Sequence, residues 1–189
     1  MLLWLALACA PPAATPTAPP APPPAPAPSR ADAVNAKLPP GVALRFEERK
    51  VVDPTEQLDA VGAVPVGWTP TDGFPGWFKP PKEANLGWMT SYKIQSDCAG
   101  ACTPKDWKAV IDRQMLDRVP DAMLRKDEPL ADGGRIRWGA DASSGAVYAA
   151  WSREGDARFY ACTAMLDGAE AVKLLDAFVE ACRATKLGG

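Results

Sequence analysis

The sequence RFYACTAMLDGAEAVKLLDAFVEACRATKL, residues 158–187, contains the segment on which the fold depends. Residues 158–166 predict a strand with apolar side chains on both of its alternating faces. These side chains are Phe159, Ala161 and Met165 on one face and Tyr160, Cys162, Ala164 and Leu166 on the other. A strand that is apolar on both faces belongs in the middle of a sheet that is covered on two sides.

Residues 169–187 predict a long closing helix. Glu170 near its start and Arg183 near its end suit the helix dipole. The stripe expected to face the core consists of Val172, Leu175, Phe178, Val179 and Cys182. Because Cys182 lies on this stripe and Cys162 on the preceding strand, we expect a disulfide bridge between them, with two buried free thiols as the alternative.

The segments upstream predict more strands and one further helix. Strands at residues 135–139 and 146–152 precede the central strand through short Gly, Asp and Ser loops, which is typical of an antiparallel meander. Residues 43–52 and 86–95 also alternate like strands, the second with Trp88, Thr90, Tyr92 and Ile94 on its apolar face. A helix is predicted from an N-cap at Thr103 to Val119.

These elements together predict an α+β domain over residues 41–189. We expect an antiparallel sheet of about five or six strands with two long helices packed on it, preceded by a disordered Pro-rich tail. The length suits a single domain with one core.

The N-terminus carries the signal for location. The apolar run at residues 1–8 is too short to cross a bilayer core of roughly 30 Å, so it predicts a signal-peptide remnant. Residues 5–8 (LALA) followed by Cys9 resemble the lipobox of bacterial lipoproteins, whose cysteine is acylated. This resemblance implies lipidation at Cys9 and an exported protein anchored in the bacterial cell envelope, at the outer membrane facing the periplasm.

Residues 9–40 predict a Pro/Ala-rich disordered tether. Ten prolines between Pro11 and Pro28 fix the backbone and remove hydrogen-bond donors, which favours extended polyproline conformation over helix or sheet. At about 3.1 Å per residue, twenty such residues reach roughly 60 Å.

Composition narrows the possible functions. The 21 basic and 23 acidic residues nearly cancel, which argues against nucleic acid as a partner. The chain has no histidine, the usual general base and a common metal ligand, and it contains no recognisable catalytic motif. We therefore predict no catalytic residue, no metal and no cofactor, with a carboxylate-dependent envelope hydrolase as one alternative.

Two of the remaining cysteines lie between a strand and a helix. Acylation of Cys9 would leave four cysteines, an even number suited to two disulfides in an oxidising compartment. We expect a structural bridge between Cys98 and Cys102. The alternative is an envelope thiol-disulfide protein, because a Cys102 beside a helix N-terminus would have a lowered pKa.

Residues 72–82 (DGFPGWFKPPK) predict a proline-stiffened loop with three aromatic side chains. Phe74, Trp77 and Phe78 would either present a binding surface to a sugar ring, a peptide or another protein, or cover one open end of the core.

The order of elements over residues 43–187 resembles the PsbP-like fold. Strands leading through Val66, Gly67 and Trp68 are followed by a middle strand and helix, a three-stranded meander and a C-terminal helix. This resemblance implies an accessory or binding protein. The expected function is a non-catalytic, lipid-anchored envelope protein that binds or scaffolds an envelope protein, peptide or glycan.

Acylation of Cys9 is directly testable. Each buried CH₂ of an acyl chain is worth roughly 0.8 kcal/mol, so two or three chains would hold the protein on a bilayer. In detergent phase partitioning, we expect the exported full chain in the detergent phase and the Cys9→Ser variant in the aqueous phase. Ala10→Ser is the control that should change nothing, and a fully aqueous parent protein would contradict lipidation.

Overall fold

The computed structural model describes residues 28–103, 105–152 and 155–188, which form four α-helices and ten β-strands. The helices are α1 (Arg30–Asn35), α2 (Lys108–Arg118), α3 (Ala169–Val172) and α4 (Leu175–Ala184). The strands are β1 (Phe46–Asp53), β2 (Leu58–Pro65), β3 (Thr69–Thr71), β4 (Phe74–Lys79), β5 (Ser91–Asp97), β6 (Leu124–Pro129), β7 (Arg135–Ala140), β8 (Ser144–Trp151), β9 (Phe159–Asp167) and β10 (Lys186–Leu187). The predicted signal-peptide remnant, Cys9 and the first part of the predicted tether lie outside the described residues.

The strands form two antiparallel sheets. The larger sheet has the order β3-β4-β5-β9-β8-β7-β6, and the smaller has the order β1-β2-β10. The predicted α+β class with antiparallel strands is therefore confirmed. The strands form two sheets, of seven and three strands, where one sheet of about five or six was expected. The central position of β9 between β5 and β8 agrees with its two apolar faces.

The main core lies between the two sheets, where α4 packs. Its central side chain is Phe178, whose ring centroid lies 5.3 Å from Phe46 of β1, 5.6 Å from Trp68 and 5.5 Å from Tyr92 of β5. One turn later Cys182 forms a disulfide with Cys162 of β9, with the two Cα atoms 5.3 Å apart. The helix is thus held to both sheets.

The C-terminal segment is more divided than the predicted helix over residues 169–187. It forms α3 and α4, and α4 ends at Ala184. Thr185 turns to an extended backbone while its hydroxyl donates to the Ala181 carbonyl at 3.1 Å. This turn sends β10 alongside β2, where its backbone completes the smaller sheet.

A second core lies on the opposite face of the larger sheet, under α2. Trp107, Ile111, Met115 and Val119 pack against β8 and β9, and the Trp107 ring lies 5.2 Å from that of Phe159. The indole N–H of Trp107 donates to the Asp156 carbonyl at 2.8 Å, so the aromatic side chain fixes where α2 begins.

The predicted start of α2 is wrong. Trp107 is the N-cap, and the Asp106 carboxylate accepts from the Lys108 amide at 2.9 Å. Thr103 precedes the helix, and its amide donates to the Ala101 carbonyl at 2.9 Å. Pro104 lies outside the described residues. The residues before the helix are held in turns by the disulfide between Cys98 and Cys102.

The ordered domain begins before residue 41, the predicted boundary. Ser29 and Asp32 form a reciprocal capping box that starts α1. Val34 is fully buried, and the Asn35 side chain pairs with the backbone of Phe46 at 2.8 and 3.0 Å. These contacts make α1 part of the main core, so residues 30–35 are not tether.

Strand β5 is shorter than expected. It begins at Ser91, and the preceding Trp88, predicted to lie on its apolar face, is 85% exposed.

Strand β6 lies at the far edge of the larger sheet and pairs with β7 only. Its polar side chains suit this edge position.

An ion-pair network attaches β6 and α2 to β7. Asp127 accepts two hydrogen bonds from Arg135, both at 2.6 Å, and one from Arg137 at 2.9 Å. The buried Arg137 also donates to the Val119 carbonyl at 2.7 Å and pairs with Asp121. Burial by itself would raise the pKa of Asp127, but these hydrogen bonds and charges outweigh it and hold the pKa below its ordinary value.

This network predicts a pH-dependent loss of stability. A lowered pKa stabilises the folded protein above about pH 4, the unfolded value for Asp, and the contribution disappears as the pH falls through the folded pKa. In urea titrations, Asp127→Asn should cost about 2 kcal/mol at pH 7 and less at pH 3. The control is Asp117→Asn, which removes an exposed ion pair with Arg113 at 3.9 Å. It should change the free energy of unfolding little at either pH. An equal cost of Asp127→Asn at both pH values would contradict the assignment.

Candidate binding site

A large concave site in the described part of the chain is an apolar groove of about 470 Å³. It lies beside the N-terminal end of the α3–α4 segment. Its apolar lining consists of Val42, Ala43, Leu44, Val66, Trp68, Pro81, Ala84, Leu86 and Leu174. This volume and lining are typical of sites for small ligands or the side chains of a bound peptide.

The turn after β2 shapes the floor and one wall of this groove. The Trp68 amide donates to the Pro65 carbonyl at 3.3 Å, which closes the turn. Trp68 then points into the core and is 3% exposed, while Val66 is 48% exposed in the wall. The Val66 amide donates to the Arg45 carbonyl at 2.8 Å, which ties this wall to the chain next to the lining residues 42–44. The floor is rigid because Trp68 packs on Phe178.

The charged side chains that line the groove are both acidic, Glu83 and Glu170. Glu170 pairs with Lys173 at 2.6 Å, whereas Glu83 has no basic partner within 4.0 Å among the described residues. The groove therefore combines an apolar floor with a negative rim.

An exposed indole follows directly after the groove-lining residues 84–86. The loop that carries Trp88 is held by Asp167, which accepts from the Gly87 amide at 3.0 Å and from the Met89 amide at 3.2 Å. A Cβ at Gly87 would lie 2.4 Å from the Asp167 carboxyl carbon, so this close approach requires glycine. The backbone anchors the loop while Trp88 points outward.

Most of the aromatic segment at residues 72–82 is strand β4, which forms a hairpin with β3, so the predicted loop is wrong. Gly76 permits this, since a Cβ there would lie 1.9 Å from the Ile94 carbonyl oxygen of β5. Phe78 is 1% exposed in the main core. Phe74 and Trp77 stack outside it, with centroids 4.5 Å apart. The three aromatics therefore do not form one surface.

A polar cleft of about 190 Å³ adjoins Phe74 and Trp77. Its three carboxylates are engaged in structural contacts. Asp53 accepts from the Thr55 and Glu56 amides at 3.0 and 3.2 Å, Glu56 pairs with Arg158 at 2.5 Å, and Asp97 accepts from the Ala99 amide at 2.7 Å. These bonds hold the three carboxylates in turns and in an ion pair.

The two cysteine pairs differ in their surroundings. Cys162 and Cys182 are fully buried, and the Tyr92 hydroxyl oxygen lies 3.4 Å from the Cys162 sulfur. Cys98 and Cys102 form a bridge in an exposed turn, with Cα atoms 4.8 Å apart. Because α2 begins only at Lys108, Cys102 does not stand at a helix N-terminus, which is the position that the thiol-disulfide alternative assumes.

Among the described residues, no cluster of three or more Cys, Asp or Glu side chains is placed to hold a metal ion. No helix in this part of the chain is long and apolar enough to span a membrane. Comparison with known proteins finds no matching family model and no matching curated protein.

The sequence reasoning missed the groove. Its walls come from four separate segments, so no local pattern in the sequence marks it. Two signals were available, namely the Val66-Gly67-Trp68 turn and a glycine placed beside Trp88.

The different positions of Phe74 and Phe78 predict different effects of the same substitution. Phe78→Ala should cost about 3–5 kcal/mol of unfolding free energy, because it leaves a cavity in the main core. Phe74→Ala should cost about 1 kcal/mol, the value of an exposed aromatic stack. Urea unfolding of both variants measures this difference. Similar losses in the two variants would contradict the placement of the aromatics.

Proposed function

We propose that this protein is a non-catalytic, lipid-anchored binding protein of the bacterial cell envelope. Its groove would bind an extended peptide segment of an envelope partner. The observation that carries this proposal is the apolar groove itself, whose floor of Trp68 and Leu174 is held in place by packing in the main core. A preformed site binds without the entropic cost of ordering its walls.

The charge of the rim narrows the choice of partner. Glu83 and Glu170 would repel the anionic head groups of phospholipids, and they would attract Lys or Arg side chains. The apolar floor favours aliphatic or aromatic side chains of the same segment. We therefore infer a peptide in which apolar residues stand next to a basic one.

Two observations support a location in the cell envelope. The two disulfides are compatible with an exported protein. The lipobox-like sequence before Cys9 supports a lipid anchor, and the proline-rich residues after it would serve as the tether. The resemblance of the element order to the PsbP-like fold supports a binding role over a catalytic one.

Selection from a random dodecapeptide phage library on the immobilised full chain tests the groove. We expect enriched peptides in which apolar residues flank a Lys or Arg. Ala43→Phe places a large ring in the groove at an exposed position and should weaken the enriched peptides at least tenfold, with an unchanged melting temperature. Phe74→Ala, which lies in the other cleft, is the control and should leave binding intact.

Two results would contradict the proposal. One is enrichment of acidic peptides, or of peptides without an apolar residue. The other is binding that survives Ala43→Phe but is lost in Phe74→Ala, which would move the site to the polar cleft.

A further inference from the structure

We propose a second binding site in the cavity between α2 and the outer face of β5 and β9. It would bind an α-carboxylate with an adjacent N–H donor, the chemistry shared by a free amino acid and by the C-terminal residue of a peptide. The cavity has a volume of about 70 Å³ and is lined by residues of β5, α2, β8 and β9. This proposal does not depend on the apolar groove.

The cavity arises because α2 covers only part of the sheet. Lys93 of β5 is paired with Thr163 of β9, and Thr163 is paired with Tyr148 of β8, so a polar row crosses the sheet. From the helix, Gln114 and Arg118 reach the same cavity one turn apart. Polar side chains from two layers therefore converge beside the second core.

Two cations line this cavity, Lys93 from β5 and Arg118 from α2. Neither Lys93 nor Arg118 has a carboxylate oxygen within 4.0 Å among the described residues. The Lys93 ammonium lies 3.5 Å from the centroid of the Trp77 ring, which holds it in place. Burial first, and then the positive charges of Arg118 and Lys79, lower the pKa of Lys93. An anionic ligand would relieve this repulsion.

Gln95 of β5 lines both this cavity and the polar cleft beside Trp77. Its side-chain oxygen is buried and has no hydrogen-bond partner among the described residues. Asp97, two residues further along β5, also lines the cavity, and its carboxylate accepts from the Ala99 amide at 2.7 Å. A simple anion would satisfy the cations but would bring no donor to Gln95. A ligand that carries both a carboxylate and an N–H group would satisfy both.

The size of the cavity fits one small terminal group. A water molecule needs roughly 10–15 Å³ of such space, so the cavity of about 70 Å³ has room for several waters or for a group of similar size. A longer peptide would extend through the open side, next to the exposed Arg118.

Titration of the ¹⁵N-labelled full chain, followed by backbone amide shifts, tests the proposal with four probes. Glycine and triglycine carry both groups, acetate lacks the N–H donor, and glycinamide lacks the carboxylate. We expect glycine or triglycine to bind at least ten times more tightly than acetate and glycinamide, with shifts confined to β5, β8, β9 and α2. Tighter binding of triglycine would identify a peptide C-terminus, and tighter binding of glycine a free amino acid. Acetate binding as well as glycine, or no binding by any probe, would overturn the proposal.

Substitution of two residues that line the cavity tests whether the ligand binds there. Lys93→Met and Gln95→Leu should each weaken the better probe at least fivefold. The matched control is Lys105→Met, because the Lys105 ammonium also lies over an indole ring, 4.4 Å from Trp107, yet outside the cavity. Gln95→Leu should not lower the melting temperature, since it removes an unpaired buried oxygen. If Lys93→Met impairs folding, Arg118→Met, on the exposed face of α2, is measured in its place. An equal loss of affinity in Lys105→Met would overturn the proposal.

Discussion

The packing of Phe178 against aromatic rings from both sheets is the contact on which the structure depends. Rings of β1, β5 and the turn after β2 surround it, and all three centroids lie within 5.6 Å. The disulfide from Cys182 to β9 acts one turn further along the same helix. Both hydrophobic burial and a covalent bond therefore hold α4 in place. The two sheets are positioned by their contacts with this helix.

Both candidate sites follow from how the helices cover the larger sheet. On the inner face, the fixed α4 leaves Leu174 and Trp68 as the floor of an apolar groove at its N-terminal end. On the outer face, α2 covers β8 and β9 but leaves the polar side chains of β5 beside it. The groove on the inner face is suited to apolar side chains, because it lies on the main core. The cavity on the outer face is suited to small polar groups, because polar side chains of β5 and α2 line it.

The parts of the fold that local patterns determine could be predicted from the sequence. The two apolar faces of β9 and the stripe through Phe178 and Cys182 identified the central strand and its covering helix. The start of α2 could not be predicted, because the indole hydrogen bond and the packing of Trp107 override the cap at Thr103. The groove could not be predicted either, because its four wall segments are distant in the sequence and meet only in the folded chain.

The claim that the groove receives a partner peptide is tested most directly by photo-crosslinking in the intact envelope. A photoactivatable residue at Ala43 lies in the groove, and one at Ala109 lies on the exposed surface of α2. The account predicts crosslinked peptides from position 43, rich in apolar and basic residues, and none from position 109. Crosslinks from position 109 alone, or acidic peptides from position 43, would contradict it.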